Sequence, residues 1–278
     1  MMKNKPKSYL ILMAMAGIIG SLVIANIPSV WAGDGNPNPR VMPPHAYPFG
    51  KSYGDWSAEW WKWQLKLPAS DHPAFSLDGA NCDAGQDGKV WFLTGAFTTE
   101  VPNNEFNTIV RELCHVPTGK AIFFPIINIE CSNIENEPFQ LIEEGPNANI
   151  DTCATSWIDG TNAVVEDLSV EIDGKNLENP EDYRFQSPVF EFNFEDPSDN
   201  ILGVDCNSVE CEDPKPRSIS DGFWIMLPPL SRGEHIVRFT GSFRDPNNGD
   251  LFFGLDVTYV ITVVELSASR RKSVSQFR

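Results

Sequence analysis

Proline and glycine interrupt this chain from end to end, and they limit the length of any regular element within it. The 278 residues include 22 prolines and 20 glycines. Proline ends or kinks a helix and glycine favours turns, so a bundle of long helices is excluded. Between these turn residues, apolar side chains recur with a period of two, which is typical of β-strands. The chain is therefore predicted to be mainly β.

Individual strands follow from that alternation. Residues 90–96 are apolar on both faces and predict a central strand. Residues 121–129 predict another buried strand, in which Pro125 indicates a bulge or an edge. The clearest hairpin covers residues 236–264, with Asn248-Gly249 as its turn. Together with one or two short helices in residues 135–160, this pattern predicts a β-sandwich, either immunoglobulin-like or jelly-roll-like.

The N-terminus has the pattern of an export signal. Lys3, Lys5 and Lys7 precede an apolar run over residues 9–27, and a Val-Trp-Ala sequence ends at Ala32. We predict a signal peptide over residues 1–32, the alternative being an uncleaved membrane anchor. No later run reaches the ~18 apolar residues that a span needs, so the processed chain is expected to have no stable membrane span.

The rest of the chain divides into three parts. Residues 33–50 are rich in Gly, Pro and Asn and predict an extended N-terminal segment. Residues 51–266 predict one β-rich globular domain, with a subdivision near residue 165 as the alternative. Residues 267–278 are basic and poor in apolar side chains, which predicts a disordered tail.

Six cysteines follow the predicted leader, and their even number matters once export is assumed. An oxidising compartment favours disulfides, so the chain is expected to be disulfide-stabilised and secreted or periplasmic. Six cysteines allow many pairings. We predict the sequential one, which joins Cys82 to Cys114, Cys131 to Cys153 and Cys206 to Cys211.

Acidic side chains greatly outnumber basic ones. The chain has 38 Asp and Glu against 21 Lys and Arg, a net charge of -17, and loss of the three leader lysines would make it -20. Nucleic-acid phosphates attract Lys and Arg, so a nucleic-acid partner is excluded. The acids fall in turns and in a loop over residues 195–213, which is typical of a solvating surface.

Four tryptophans between residues 56 and 63 mark the most unusual segment. Trp56, Trp60 and Trp63 recur at helical spacing and predict a Trp-rich helix that ends before Pro68. The stripe has two interpretations: it docks the helix on the core, or it offers rings to a glycan. Helical spacing favours docking. The glycan alternative assigns binding to Trp60, Trp63 and Glu59.

Other candidate residues are more scattered. His72 lies in a turn after the predicted helix, as a candidate ligand or base. Glu130 ends a buried strand, where desolvation would raise the pKa of its carboxyl group. Asp245, Asn247 and Asp250 present hard oxygens in a tight loop and predict a calcium site, with an ordinary polar turn as the alternative. No other cofactor is predicted, because nucleotide-binding, zinc-protease and hydrolase-elbow motifs are missing from the sequence.

Motifs in both halves of the predicted mature chain carry a resemblance that covers most of it. Those of the first half are Tyr53-Gly-Asp-Trp-Ser-Ala-Glu-Trp-Trp, Gly85-Gln-x-Gly-x-Val-Trp-Phe-Leu-x-Gly95 and Cys114-x-Val-Pro-x-Gly-Lys-Ala-Ile-Phe-Phe-Pro125. Those of the second half are Asp221-Gly-Phe-Trp-Ile-Met-Leu, Leu230-x-x-Gly-Glu-His235 and Asp256-Val-Thr-Tyr259. In these motifs the chain resembles a group of exported bacterial proteins of unknown function. The resemblance implies that residues 51–265 form one unit. It implies no activity, so no catalytic residue is transferred.

These observations favour one function and leave two alternatives. The favoured function is that of a non-enzymatic binding or cell-envelope protein, whose partner is the cell envelope or a glycan. The first alternative is an extracellular hydrolase acting on glycan or another polymer, suggested by tryptophans beside carboxylates. The second is a calcium-stabilised structural protein. The oligomeric state does not follow from the sequence.

Overall fold

The computed structural model describes residue 38, residues 40–96 and residues 106–265. The predicted signal peptide over 1–32 and the predicted tail over 267–278 lie outside the described residues, as does most of the first half of the 33–50 segment. No helix in the described part of the chain is long and apolar enough to cross a membrane.

The described chain is mainly β, with one α-helix and short 3-10 turns. Helix α1 spans Tyr53–Lys66 and includes all four clustered tryptophans. Ten strands follow in chain order: β1 Val90–Phe92, β2 Asn107–Pro117, β3 Ala121–Ser132, β4 Val164–Ile172, β5 Lys175–Asn176, β6 Arg184–Gln186, β7 Phe190–Glu191, β8 Arg217–Leu227, β9 Gly233–Arg244 and β10 Leu251–Val264.

Local side chains determine both ends of helix α1: a capping box at its start and a proline just after its end. Ser52 Oγ accepts from the backbone N–H of Asp55 at 3.1 Å, and Asp55 Oδ2 accepts from the backbone N–H of Ser52 at 2.9 Å. This reciprocal capping box satisfies N–H groups that have no partner within the helix. At the other end, Leu67 is already extended, because the residue before a proline disfavours the helical conformation.

The strands form two mixed sheets of five strands each. The first has the order β1-β3-β8-β6, and β7 also pairs with β8. The second has the order β2-β10-β9-β4-β5. The β1–β3 and β10–β2 pairs are parallel and the others antiparallel. Each sheet joins strands from both sides of residue 165, so a boundary there would divide both sheets.

The first sheet is covered on both faces. Phe123 and Phe124 are neighbours on β3, so their side chains point to opposite faces. On the helix side, the ring of Phe123 lies 5.4 Å from Trp224 and 6.0 Å from Tyr53 of α1. On the other side, Phe124 lies 5.0 Å from Phe239 of β9. Burial on both faces explains why β3 is apolar at nearly every position.

Two strand predictions are confirmed. The predicted hairpin is the β9–β10 pair, which continues from Arg244 opposite Leu251 to Gly233 opposite Val263. The predicted irregularity at Pro125 is a bulge, because the register between β3 and β8 shifts between Pro125 and Ile127. Proline has no N–H to donate to a neighbouring strand, so a bulge is a favourable place for it inside a sheet.

The prediction of a central strand over residues 90–96 is wrong. Strand β1 stops at Phe92 and occupies an edge of the first sheet. Beyond it, the backbone N–H of Thr94 donates to the hydroxyl of Tyr259 in the second sheet, at 3.2 Å. The chain therefore passes from one sheet to the other. Both of its faces are apolar because helix and sheets surround it, and not because strands pair on both edges.

The first of the short helices predicted within residues 135–160 is also wrong, because residues 135–144 form no helix. This segment folds back along the end of β3, where the Ser132 N–H donates to the Phe139 carbonyl and the Leu141 N–H donates to the Ser132 carbonyl. Pro138 within it has no N–H for a helical hydrogen bond. The second predicted helix is reduced to a 3-10 turn at Thr155–Trp157.

The three disulfides confirm the sequential pairing. Cys82 bonds to Cys114, Cys131 to Cys153 and Cys206 to Cys211, and the Cα–Cα distances are 5.5, 6.3 and 5.6 Å. Each distance falls in the range of ordinary disulfides. The first bond fastens the loop before β1 to strand β2. The second fastens the 149–157 region to β3, and the third closes the acidic loop.

Candidate functional site

Two of the predicted binding residues, Trp60 and Trp63, belong to the core. They are 2% and 7% exposed. The indole N–H of Trp60 donates to the Leu93 carbonyl at 2.8 Å, and that of Trp63 donates to the Ala84 carbonyl at 2.9 Å. Both side chains therefore fasten α1 to the segments that supply these carbonyls, which lie just after β1 and in the loop before it. Their burial removes two of the three stripe rings as ligand platforms, whereas Trp56 is partly exposed.

A groove lies along the outer side of α1, bounded by the loop before β1 and by β7. We call it the lysine groove. Its volume is about 410 Å³, and it adjoins a depression of about 660 Å³ that shares Lys51, Glu59 and Lys62 with it. Both volumes lie in the range of small-molecule sites, roughly 300–1,000 Å³. A smaller pocket beside Trp61 measures only about 60 Å³, which is too small for such a ligand.

The floor of the lysine groove is aromatic. Trp56 and Phe92 are partly exposed there, with ring centroids 6.3 Å apart. Beside them, Phe49 is 44% exposed and lies edge-on to Trp56 at 6.2 Å. Phe49 has a φ of 56°, in the left-handed region that a bulky residue rarely adopts. Such strain clusters at functional sites, and here it holds an exposed ring next to the groove.

The rim of the lysine groove collects most of the described lysines. The described chain has seven, and five of them line the groove or its adjoining depression: Lys51, Lys62, Lys66, Lys89 and Lys215. A sixth, Lys120, donates to the carbonyl of Gly88 on the groove wall. Asp55, Glu59, Asp87 and Glu191 line the same surfaces, so five lysines against four acids leave a net charge of +1 there, in a chain whose net charge is -17.

Glu59, the third predicted binding residue, lies within this rim. Its carboxylate oxygen is 3.2 Å from the ammonium groups of both Lys51 and Lys62. Partial burial alone would raise the pKa of Glu59, but the two lysines outweigh it and lower that pKa. Glu59 is therefore ionised, and its carboxylate is paired with two lysine side chains. It has no raised pKa that would suit a general acid.

The wall opposite α1 depends on one glycine. Gly85 has a φ of 60°, and a Cβ added to it would lie 2.8 Å from Leu67 Cδ2 and 3.2 Å from Trp63 Nε1. Only a residue without a side chain lets the loop approach this closely, which in turn lets the neighbouring Ala84 carbonyl accept from Trp63. The disulfide of Cys82 anchors the same loop.

His72 is a buried structural residue. Its Nε2 lies 3.1 Å from the Gln64 carbonyl, and its Nδ1 accepts from the Ala74 N–H at 3.1 Å. Burial, together with a smaller effect of the nearby positive charge of Arg111, lowers the pKa of His72 to about 4 against the effect of the Gln64 hydrogen bond. The ring is neutral at neutral pH. Backbone groups use both of its nitrogens, so it is not placed to act as a base or a ligand.

Glu130 forms a buried acid pair with Glu135, which the sequence analysis missed. The two carboxyl groups share a hydrogen bond. Ser218 Oγ donates to Glu130, and Ser132 Oγ donates to Glu135 at 2.8 Å. Burial raises the pKa of Glu130 well above its ordinary value, and the Glu135 charge raises it further. Burial also raises the pKa of Glu135. Two carboxylates in contact resist double ionisation, so the pair retains a proton.

This pair predicts an unusual dependence of stability on pH. Unfolded Glu130 loses its proton near its ordinary pKa of 4.5, whereas folded Glu130 keeps it to higher pH. The free energy of unfolding therefore falls as pH rises from about 4.5 towards the folded pKa. We predict that Glu130→Gln, whose amide imitates the protonated acid, is more stable than the wild type at pH 8. Urea unfolding from pH 4 to 8 measures the difference, which should shrink towards pH 4.

Glu181→Gln is the matched control for that prediction, because Glu181 is exposed. It should leave the shape of the pH profile unchanged. If the wild type instead gains stability over Glu130→Gln as pH rises, the acid pair does not hold its proton in the folded protein.

A Ser-His-Asp cluster also occurs, at the start of β9. His235 Nε2 lies 3.2 Å from Ser231 Oγ, and His235 Nδ1 lies 2.9 Å from Asp173 Oδ2. However, Nε2 also lies 2.9 Å from the Ser231 carbonyl oxygen, which can only accept. An Nε2 that donates to this carbonyl has no lone pair for the serine proton. Arg40 also forms an ion pair with Asp173 at 2.6 Å. The cluster therefore connects three chain segments, which contain Arg40, Asp173 and His235, and its role is structural.

The predicted calcium residues lie in the β9–β10 turn. Asp245 Oδ1 accepts from the backbone N–H and the side-chain amide of Asn247 at 2.7 and 3.0 Å, and Asp250 Oδ2 accepts from Asn248 at 2.9 Å. These are the local bonds of an ordinary polar turn. Within the described residues, no group of three or more His, Cys, Asp or Glu side chains could hold a metal ion. The calcium site stays a prediction.

The lysine groove itself was not predicted, and none of the lysines that line it was singled out from the sequence. A signal was present, because Lys62 and Lys66 are four residues apart and so lie on one helix face. The contribution of Lys89 and Lys215 depends on strand order, which the sequence does not display.

Comparison with known proteins adds little. No protein-family model and no curated protein matches this chain. Among solved structures, it is similar to the cysteine protease inhibitor EhICP2 from Entamoeba histolytica, with 13% identity over 61% of this chain and 92% of that chain. The TM-score is 0.17, and a likeness of this degree supports no argument about fold or function.

Proposed function

We propose that this protein is a non-enzymatic binding protein that holds an anionic ligand in the lysine groove. One observation carries the proposal: an acidic chain places five of its seven described lysines around an aromatic-floored groove. In a chain with a net charge of -17, five lysines against four acids leave this cleft with a small surplus of positive charge, and a cleft concentrates the field of the charges that line it. Ligands of opposite charge are drawn to such a cleft.

Three of these lysines are available to a ligand. Lys51 and Lys62 are paired with Glu59. Among the described residues, Lys66, Lys89 and Lys215 form no ion pair, and all three are exposed. A ligand anion can contact them without first displacing a carboxylate. Partly exposed Trp56 and Phe92 beneath them supply apolar contact area.

We also propose that the protein is exported and acts in the periplasm or outside the cell. The leader pattern supports this, and so do the three disulfides, which persist in oxidising compartments. The resemblance to exported bacterial proteins of unknown function remains part of the proposal. Two of its motifs, residues 53–61 and 85–95, supply much of the groove wall.

The fold type belongs to the same proposal. We propose that the two sheets are the layers of a β-sandwich, immunoglobulin-like or jelly-roll-like. The Phe124–Phe239 contact between them supports this. In that arrangement α1 covers the outer face of one layer, and the lysine groove lies where the helix meets the sheet edge.

Charge removal in the groove tests the function. We predict that the triple variant Lys66→Gln, Lys89→Gln and Lys215→Gln weakens binding of carboxymethyl dextran by about tenfold to a hundredfold, because each exposed ion pair contributes up to ~1 kcal/mol. Isothermal titration calorimetry at low salt measures the affinity. Lys175→Gln removes one charge away from the groove and serves as the control. Equal affinity of the triple variant and wild type would refute the proposal.

A further inference from the structure

We infer that the occupant of the lysine groove is a carboxylated polysaccharide, a chain of sugar rings that includes uronic acids. This inference rests on the proposed function and names the chemical class of its ligand. It follows from three features of the groove: its extent, its floor and the kind of charge on its rim.

The extent of the groove suits a chain better than a compact molecule. The groove and its adjoining depression share Lys51, Glu59, Lys62 and Glu191, so the two are continuous. Their lining extends from Gly88 and Lys89 beside β1 to Lys215 before β8. A linear polymer can follow such a path, with different units in each part.

The floor suits sugar rings. One face of a pyranose ring presents C–H groups, and burying that face against aromatic carbon removes apolar area from water. Trp56 and Phe92 are partly exposed in the groove, and Phe49 holds a further exposed ring beside it. The ammonium groups of Lys51 and Lys89 lie 5.2 and 5.9 Å from the ring centres of Trp56 and Phe49, so charge and ring surface are adjacent. A simple inorganic anion would leave this aromatic area unused.

The rim suits carboxylates spaced along a chain. None of the described residues that line the groove is an arginine. Arginine forks are the preferred partners of closely bound phosphates, whereas lysine is a hydrated point charge. Lys62 and Lys66 are one helix turn apart, about 6 Å along the axis of α1. The rim thus presents separate positive charges along a path.

The acids of the groove exclude densely charged polymers. Asp55, Glu59, Asp87 and Glu191 also line it, and the whole chain has a net charge of -17. The phosphates of a polyphosphate follow one another with no neutral group between them, so such a polymer meets this repulsion throughout its length. A polysaccharide has neutral ring faces and hydroxyls between its carboxylates, and these can lie beside the acids.

The test compares polymers that share a backbone. Polygalacturonate and its fully methyl-esterified form have the same rings, but only the first is charged. Isothermal titration calorimetry should show binding of polygalacturonate, and at least about tenfold weaker binding of the ester, because several lysine contacts are lost. Polyphosphate and single-stranded DNA should bind more weakly than polygalacturonate. Lys66→Gln with Lys89→Gln should weaken polygalacturonate binding about threefold to tenfold, and Lys175→Gln should not.

The outcomes separate the inference from the proposed function. Binding of polyphosphate or DNA at least as tight as that of polygalacturonate, still sensitive to the groove lysines, would overturn the polysaccharide and leave an anion-binding groove. Equal binding of polygalacturonate and its ester would overturn the role of the carboxylates. If the lysine variants alter binding of none of these polymers or of carboxymethyl dextran, both the inference and the proposed function fail.

Discussion

Replacing Arg111 with methionine is expected to lower the free energy of unfolding by about 3–5 kcal/mol. Arg111 is fully buried, and among the described residues no carboxylate pairs with it. Its guanidinium group instead donates to the carbonyls of Ser76, Thr94 and Ala74 at 2.9, 2.7 and 3.2 Å. Methionine fills part of the space but donates no hydrogen bond.

This large effect is expected because buried oxygen atoms that accept from the Arg111 guanidinium group would lose that donor. Arg111 also donates to the Tyr259 hydroxyl at 2.5 Å, and its guanidinium carbon lies 5.2 Å from the centre of that ring. One side chain thus joins the loop after α1, the crossing at Thr94 and strand β10. An unsatisfied buried acceptor costs about 1–3 kcal/mol. The Ser76 and Ala74 carbonyls would lose this donor together, whereas the Thr94 carbonyl also accepts from the Tyr259 hydroxyl at 2.9 Å.

Arg238→Met is the matched control for Arg111. Arg238 pairs with Asp256 at 2.6 Å, but its side chain is 50% exposed. Water can replace that pair, so the expected loss is below about 1 kcal/mol. Urea unfolding of both variants gives the comparison. A loss for Arg111→Met no larger than that for Arg238→Met would show that the buried guanidinium is not a central link.

Replacing Trp60 with alanine is the second large effect, with an expected loss of about 3–5 kcal/mol in the free energy of unfolding. The Trp60 ring lies 5.1 Å from Trp61, 6.2 Å from Trp63 and 5.4 Å from Trp224. Alanine would leave a cavity among these rings and orphan the Leu93 carbonyl. Thermal and urea unfolding measure the loss.

Trp56→Ala separates packing from binding on the same helix. Trp56 is partly exposed in the groove, and its N–H donates to the Pro48 carbonyl at 2.9 Å. Its replacement should destabilise the protein less than Trp60→Ala does and weaken polygalacturonate binding more. The opposite result would be a folded Trp60→Ala variant that loses more binding than Trp56→Ala. In that case the ligand binds at the buried tryptophans and not in the lysine groove.

Local features of the fold were predictable from the sequence. The β9–β10 hairpin follows from Asn248-Gly249 between alternating segments, and the end of α1 follows from Pro68. The disulfides join cysteines that are successive in the chain, with separations of 32, 22 and 5 residues. In each case the interacting residues are close in sequence, so local patterns contain the necessary information.

Features that depend on strand order were not predictable. Residues 90–96 are apolar because the chain passes between a helix and two sheets. A central strand has the same continuous apolar pattern, so the sequence does not distinguish the two arrangements. Residues 135–144 are polar enough for a surface helix, yet their backbone bonds to β3. Glu130 was singled out correctly as buried, but its partner Glu135 became visible only when the chain folded back.

The sequence by itself determined the strand periodicity, the turns, the end of α1 and the acidic character of the chain, because these depend on residue type and short-range spacing. The tertiary structure decided which faces are covered and where the lysines gather. Lys51, Lys89 and Lys215 are far apart in sequence. They line adjoining depressions because β1 and β7 flank the same helix. A binding surface assembled in this way depends on topology, and a pattern of neighbouring residues cannot reveal it.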